Sequence, residues 1–354
     1  MAKFTEIFED VTKKGVKIPS NLYLDTGLYP IIDQGQSAIA GYTNKADGLF
    51  FDVPAIIFGD HTRIFKYVEK PCFLGADGVK LLKAKKPNAN HKYLYYALCN
   101  ADIPNTGYNR HFKWLKEVDI PEYSEEEQAD IVLKLDKISH LITLRKQQLA
   151  KLDELVKSQF VEMFGEPENN PKGFTILRMD DVVSFHGGSQ PDKKYFEYEP
   201  TANNVRLIQI RDYRTDRYKT YIPRSLAKRH CNPNDIMIGR YGPPIFQIFK
   251  GLEGAYNVAM MKAVPKMGNR EFIRAFLKQD CLRRYLEGFS KRTAGQDGIQ
   301  MDKLKAYPFP YPPIELQDLF AAFVVKVDKL EFKAKASLEK LETLKKAMMQ
   351  KYFN

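Results

Sequence analysis

The chain has 354 residues, more than one hydrophobic core of ordinary size organises, so two domains are expected rather than one. Hydrophobic residues make up 44% and charged residues 28%, which excludes an intrinsically disordered chain, and no window reaches the roughly 18 apolar residues of a membrane span. The 55 Lys and Arg against 44 Asp and Glu leave a formal charge of +11, a surface attractive to polyanions.

The first segment, MAKFTEIFEDVTKK, breaks any apolar stretch with acids and lysines, so a secretory leader is not expected and the reading is a cytoplasmic protein facing nucleic acid. Residues 1–121 read as a first globular domain. AIIF (55–58) is an apolar run of strand length, and GDHTRIFK around it sets His61, Thr62 and Arg63 in a loop where donors can meet a polyanion. A lone histidine is more often structural, but this one neighbours two other donors. A second polar loop, NTGYNRHFK (105–113), carries Asn109, Arg110, His111 and Lys113. Asn, Gln and Arg are the side chains that read adenine and guanine edges. Cys72, Cys99, Cys231 and Cys281 are scattered, with no C-x-x-C pair and no histidine at ligand spacing, so neither zinc nor a disulfide framework is expected.

Residues 122–165 read as a long helix. Ile131, Leu135, Ile138, Ile142, Leu149, Leu152, Val156 and Met163 keep alternating 4-and-3 spacing, broken only by Arg145 and Gln159. About 40 residues make a rod of roughly 60 Å, which needs a partner along its length. Gly165 and the Pro/Asn-rich residues 166–173 end it as a linker.

Residues 174–313 read as a second globular domain. SFHGGSQPDKKYF (184–196) is a Gly-rich loop with donors at Ser189 and Gln190, able to bring backbone close to a polyanion. NVRLIQI (204–210) and DIMIGRY (235–241) read as strands, the second closing on Arg240 and Tyr241, and FIRAFLKQDCLRRYLEGF (272–289) reads as a helix. Between the strands, IRDYRTDRYKTY (210–221) interleaves Arg211, Arg214, Arg217 and Lys219 with Tyr213, Tyr218 and Tyr221, which suits phosphate contact with stacking. A solvated turn of alternating charges is the plainer alternative. SKRTAGQDGIQ (290–300), with Arg292 and Gln296, takes the place that NTGYNRHFK has in the first domain.

Residues 314–354 read as a second long helix, striped by Phe320, Phe323, Val327, Leu330, Ala334, Leu341, Leu344 and Met348 and broken at Ser337. Charge follows these divisions: residues 166–313 hold 25 basic against 16 acidic side chains and 13 of the 16 arginines, whereas 122–165 hold 6 against 9. The polyanion-facing surface therefore belongs to the globular parts, above all the second, and not to the rods.

The parts also repeat, at a shift of 180 to 190 residues. LKEVDIPEYSEEEQADIVLKLDK from Leu115 returns from Leu304 as LKAYPFPYPPIELQDLFAAFVVKVDK, aligning Pro121 with Pro310, Gln128 with Gln317 and, across a three-residue insertion, Asp136-Lys137 with Asp328-Lys329. The expected fold is α+β: two globular domains alternating with two long helices that pair as an antiparallel coiled coil, in a pseudo-two-fold internal repeat. Its seam would be Ile131, Leu135, Ile138, Ile142, Leu149, Leu152 and Val156 against Phe323, Val327, Leu330, Leu341, Leu344 and Met348. No phosphate-binding P-loop, metal-ligand spacing or methyltransferase amide-Pro-Pro-aromatic loop is found, the nearest to the last being 242–245 and 311–314. The residues thus describe a binding protein without chemistry of its own. An enzyme with divergent motifs, or a coiled-coil scaffold, stays open as the alternative.

The order of parts, with YPIIDQGQ (29–36), GDHTR (59–63), IPEYSEEEQ, PPIELQ and RKQQLAKLDELVKSQFVEMFG (145–165), resembles the specificity subunit of type I restriction-modification systems over essentially the whole chain. The resemblance implies two target-recognition domains, each reading one half of a bipartite site in double-stranded DNA, and adds Gln34 and Gln36 to the DNA-facing set. It also implies that the helix pair sets the gap between half-sites and docks two modification subunits, with restriction subunits in some systems. S-adenosylmethionine, ATP and Mg would belong to those partners, leaving no cofactor, metal or catalysis in this chain. One departure is that the first domain is short and holds only Arg63 and Arg110.

Overall fold

The computed structural model describes residues 1–75, 78–107, 109–242, 244–289 and 298–354. They form two compact units, residues 1–147 with 335–354, and residues 148–334.

In the first unit the run AIIF lies in strand Ala55–Gly59, buried at every position. Successive side chains of a strand face opposite ways, so Ile56 and Phe58 enter one core with Phe4, Phe8, Leu82 and Tyr93, while Ala55 and Ile57 enter another with Val11, Ile32 and Leu81. A strand covered on both faces reads as continuous apolar sequence. Around it the antiparallel sheet runs Phe8–Asp10, Val79–Ala84, Ala55–Gly59, Phe65–Val68 in space. A smaller sheet is ordered Gly41–Thr43, Tyr29–Ile32, Phe73–Leu74, and Ala2–Lys3 pairs with Asp119–Ile120.

The second unit repeats this topology. Its main sheet is ordered Val183–Gly187, Met260–Pro265, Ile236–Gly239, Gln247–Lys250, and its smaller one Tyr221–Pro223, Asn204–Ile208, Gly254–Tyr256, His230–Cys231. Thr175–Arg178 pairs with Pro308–Tyr311. The helix expected over 272–289 is instead two, Arg270–Leu277 and Asp280–Gly288. The chain turns at Gln279, whose buried side chain donates to the Ala275 carbonyl at 3.0 Å.

The long helices are Glu125–Phe164 and Ile314–Phe353. Ser124 and Glu127 close a capping box at the start of the first, and Gly165, at φ +77°, ends it. Both helices have 40 residues, offset by 189 throughout. Gln128 and Gln317 each donate to the carbonyl five residues back, at 2.9 and 2.8 Å. The three-residue insertion and the Asp136-Lys137 to Asp328-Lys329 match are therefore overturned.

The stripe expected on the second helix also needs correction. Leu330 and Leu344 are each 49% exposed, and Phe323 is half-buried against the core of the second unit. The inward positions are Phe320, Val324, Val327, Glu331, Ala334, Leu338, Leu341, Lys345 and Met348, each 189 residues after the inward positions of the first helix. Two slots of this row hold charged residues, Glu331 and Lys345, and leucines one residue earlier mimic the pattern. On the first helix Ile131, Leu135, Ile138 and Leu152 are buried and Ile142, Leu149 and Val156 half-buried.

Within the first unit the two helix segments run antiparallel: Tyr123 Oη donates to the Tyr352 carbonyl, and Arg145 Nε to Ser337 Oγ, both at 3.2 Å. Arg145 fills an inward slot of the first helix, while its partner Ser337 lies beside the inward row of the second, so a half-buried polar pair links the two helices. Replacing it by leucines, Arg145→Leu with Ser337→Leu, is expected to stabilise the protein by about 1–2 kcal/mol. A calorimetric midpoint that falls would show that the polar pair stabilises more than leucine packing does.

Candidate nucleic-acid interface

In the second unit, strand Asn204–Ile208 runs into a tight 3-10 turn, Ile210–Tyr213. Asp212, with a side chain 1% exposed, pins that turn. Its Oδ2 accepts from the Gln209 backbone N–H at 2.6 Å, and its Oδ1 faces Arg206 at 3.1 Å. Arg206, on the strand before the turn, also reaches the exposed Asp216 at 2.9 Å, so its guanidinium is engaged by two acids of the loop.

Beside this turn lies a cleft of about 730 Å³, lined among others by Gln190, Lys193, Tyr198, Gln209, Arg211, Arg217, Tyr218, Lys219 and Tyr221. Six residues picked out from the sequence, Gln190, Arg211, Arg217, Tyr218, Lys219 and Tyr221, come together there. Cations, aromatic faces and amides in one concavity can hold phosphate, stack bases and read base edges. Lys219 approaches Asp216 at 3.4 Å, and Arg214 donates to Gln247 at 3.1 Å.

Other expectations are corrected. Tyr213 stacks inward on Phe249 at 4.1 Å, its hydroxyl buried without a partner and its pKa pushed up by that burial. One face of its ring is therefore taken by Phe249. Gly188 does not open the loop to a polyanion: a Cβ there would lie 2.0 Å from the Asn257 carbonyl, so the glycine is needed for close backbone packing. Ser189 is half-buried, its backbone N–H donating to Tyr256 O at 3.1 Å. Arg240 sits 5.4 Å over the Tyr241 ring with its Nε buried, and Tyr241 bridges to Gly298. Arg292 and Gln296 lie outside the described residues.

In the first unit, strand Ala55–Gly59 delivers the turn that carries His61, Thr62 and Arg63, the last at φ +61°. Gln34 joins it: its Oε1 accepts from His61 N–H at 3.2 Å, and its carbonyl from the Thr62 hydroxyl at 2.7 Å. Arg63 donates to the Ile103 carbonyl at 2.9 Å. His111 is fully buried, so the expectation that it touches DNA is overturned. Its Nδ1 and backbone N–H both meet the Asp60 carbonyl, at 2.9 and 2.8 Å, while the buried Asp60 carboxylate accepts from Phe112 N–H at 2.7 Å. Asp60 and His111 therefore hold the loop from which Asn109, Arg110 and Lys113 project into solvent, as Gln36 and Thr62 do from theirs.

The corresponding small-sheet loop of the first unit, after Tyr29–Ile32, differs chemically: there Asp33 pairs with buried Lys66 at 3.3 Å. Asp60, Gln209, Asp212 and Thr220 were missed by the sequence reading. Only Asp212 had a local signal, as an acid three residues after the start of a turn. Among the described residues no group of His, Cys, Asp and Glu could hold a metal, and no helix is long and apolar enough to cross a membrane.

Residues 1–154 match the model of the type I restriction modification DNA specificity domain. The type I restriction enzyme EcoR124I/EcoR124II specificity subunit of Escherichia coli is 28% identical over 211 residues, 54% of this chain and 49% of that protein, so the match spans about half the relative's length. The crystal structure of the S subunit of a type I restriction-modification system from M. genitalium superposes with a TM-score of 0.63 at 17% identity, covering 99% of this chain and 95% of that one, which shows a shared fold. By sequence over residues 1–154 and by fold along nearly its whole length, the protein is similar to the specificity subunits of type I restriction-modification systems.

Proposed function

We propose that the chain is a non-catalytic DNA-specificity subunit: two readers, within residues 1–121 and 174–313, each recognise one half of a bipartite duplex site, and the long helices dock modification subunits, with restriction subunits where a system has them. The observation that carries this reading is the repeated reader topology with a basic, aromatic and amide-lined cleft at the sheet edge of the second copy. The different chemistry of the matching loop in the first unit supports unlike half-sites. DNA contacts are assigned to Gln36, Thr62, Asn109, Arg110 and Lys113 in one reader and to Gln190, Arg211, Arg217 and Lys219 in the other. Outward leucines such as Leu141, Leu155, Leu330 and Leu344, each 43–49% exposed, support partner docking on the rods. On this reading S-adenosylmethionine, ATP and Mg are bound by the partners, and the protein works in the cytoplasm beside host DNA.

The purified chain, mixed with duplex DNA and S-adenosylmethionine, is expected to transfer no methyl group until a modification subunit is added, and then to direct it to one bipartite sequence. Methyl transfer by the chain alone, or modification without sequence preference in the complex, would overturn the assignment.

A further inference from the structure

The buried hydroxyl of Thr220 is the point on which the second reader's cleft turns. Thr220 has no solvent exposure, and its backbone carbonyl accepts from Leu207 N–H at 2.8 Å, fixing it to the strand beside the cleft. Its Oγ accepts two hydrogen bonds from cleft side chains, Arg211 Nη2 at 2.9 Å and Gln209 Nε2 at 3.2 Å. Both donors stand on the turn that Asp212 pins from beneath. Arg211 is otherwise exposed, and Thr220 is the partner its guanidinium has. One nitrogen of the fork is therefore held against the protein, on a side chain that lines the cleft.

An arginine fork matches the O6 and N7 acceptors of guanine, and a glutamine amide matches N6 and N7 of adenine. Each pairing needs a side chain already held in one orientation, because long side chains otherwise lose rotamer freedom on binding. We infer that Thr220 is a positioning residue for sequence readout: its hydroxyl orients Arg211 and Gln209 as a pair that reads purine edges at neighbouring base pairs of one half-site. Arg217 and Lys219, which line the same cleft, then serve the phosphates. The inference rests on the DNA-specificity reading above and adds which residues read and what orients them.

The test uses the full chain in complex with its modification subunits and a randomised duplex library, with bound sequences counted. Thr220→Val keeps the β-branched shape and removes the hydroxyl, with it the acceptor for both side chains. It is expected to lower discrimination about tenfold at one or two adjacent base pairs of a single half-site. The other half-site and the salt dependence of binding, which reports phosphate contacts, should be unchanged. Thr220→Ser, which restores the hydroxyl, should recover the preference, and Arg211→Ala should relax the same base pairs further. If the wild-type complex shows a bipartite preference and Thr220→Val shares it fully, or loses preference evenly over both half-sites, the inference is wrong while the function stands. A wild-type complex with no preference would overturn both.

Discussion

Phe160→Ala is expected to destabilise the second unit by about 3–5 kcal/mol, the usual range for deleting a buried phenyl ring. Phe160 is 1% exposed and lies at the centre of an aromatic cluster. Its ring stacks on Phe272 and meets Phe320 edge-on, both at 5.6 Å, and contacts Phe164 at 5.0 Å and Phe276 at 6.5 Å. These partners come from the two long-helix segments and from helix Arg270–Leu277, so no single one can move into the void without disturbing the others. Leu330→Ala is the informative comparison, because the sequence stripe ranks Leu330 as a seam residue and the structure leaves it half exposed. It should cost less than about 0.5 kcal/mol. Urea unfolding of the two variants decides the matter: a loss below about 1 kcal/mol for Phe160→Ala, or above it for Leu330→Ala, would contradict the packing described.

Asp212→Ala is expected to cost about 3 kcal/mol and to abolish preference for the second half-site. Removing one member of a buried ion pair strands the other charge, typically at 3–5 kcal/mol. Here Arg206 retains Asp216, which places the cost at the low end of that range. The change also leaves the Gln209 backbone N–H without its acceptor, freeing the turn that carries Arg211. Asp216→Ala separates the two effects. Asp216 is 67% exposed, so its pairs with Arg206 and Lys219 are worth less than about 1 kcal/mol, and the turn stays pinned. Thermal unfolding and the library selection together distinguish them: equal losses for the two variants would show that burial of Asp212 is not what matters.

The limits of sequence reading are visible in particular residues. On the first helix the stripe from Ile131 to Val156 is buried or half-buried, as expected where helix geometry maps spacing onto direction. The same rule failed on the second helix at Leu330 and Leu344. Inward slots can be filled by Glu331 and Lys345 when neighbouring elements accommodate their heads, and periodicity counts only apolar residues. The polar loops were found by composition, but the fate of each polar group was not. His111 meets Asp60, 51 residues away, Arg63 meets Ile103, 40 away, and Tyr213 turns in to Phe249. Composition says which groups can bind DNA, and only the tertiary partners say which remain free to do so.

What the sequence by itself determined, then, was whatever depends on near neighbours along the chain: the two 40-residue helices from their heptads, the strand Ala55–Gly59 from its apolar run, the repeat that divides the length in two, and the arginine-rich second domain behind the charge of +11. What only the tertiary structure decided was the hydrogen bonding of polar side chains across tens of residues. That includes the meeting of Arg145 with Ser337, the burial of His111, and the hold of Thr220 on Arg211 and Gln209. A buried polar group must find a partner wherever the fold brings one, and local sequence does not specify where that will be.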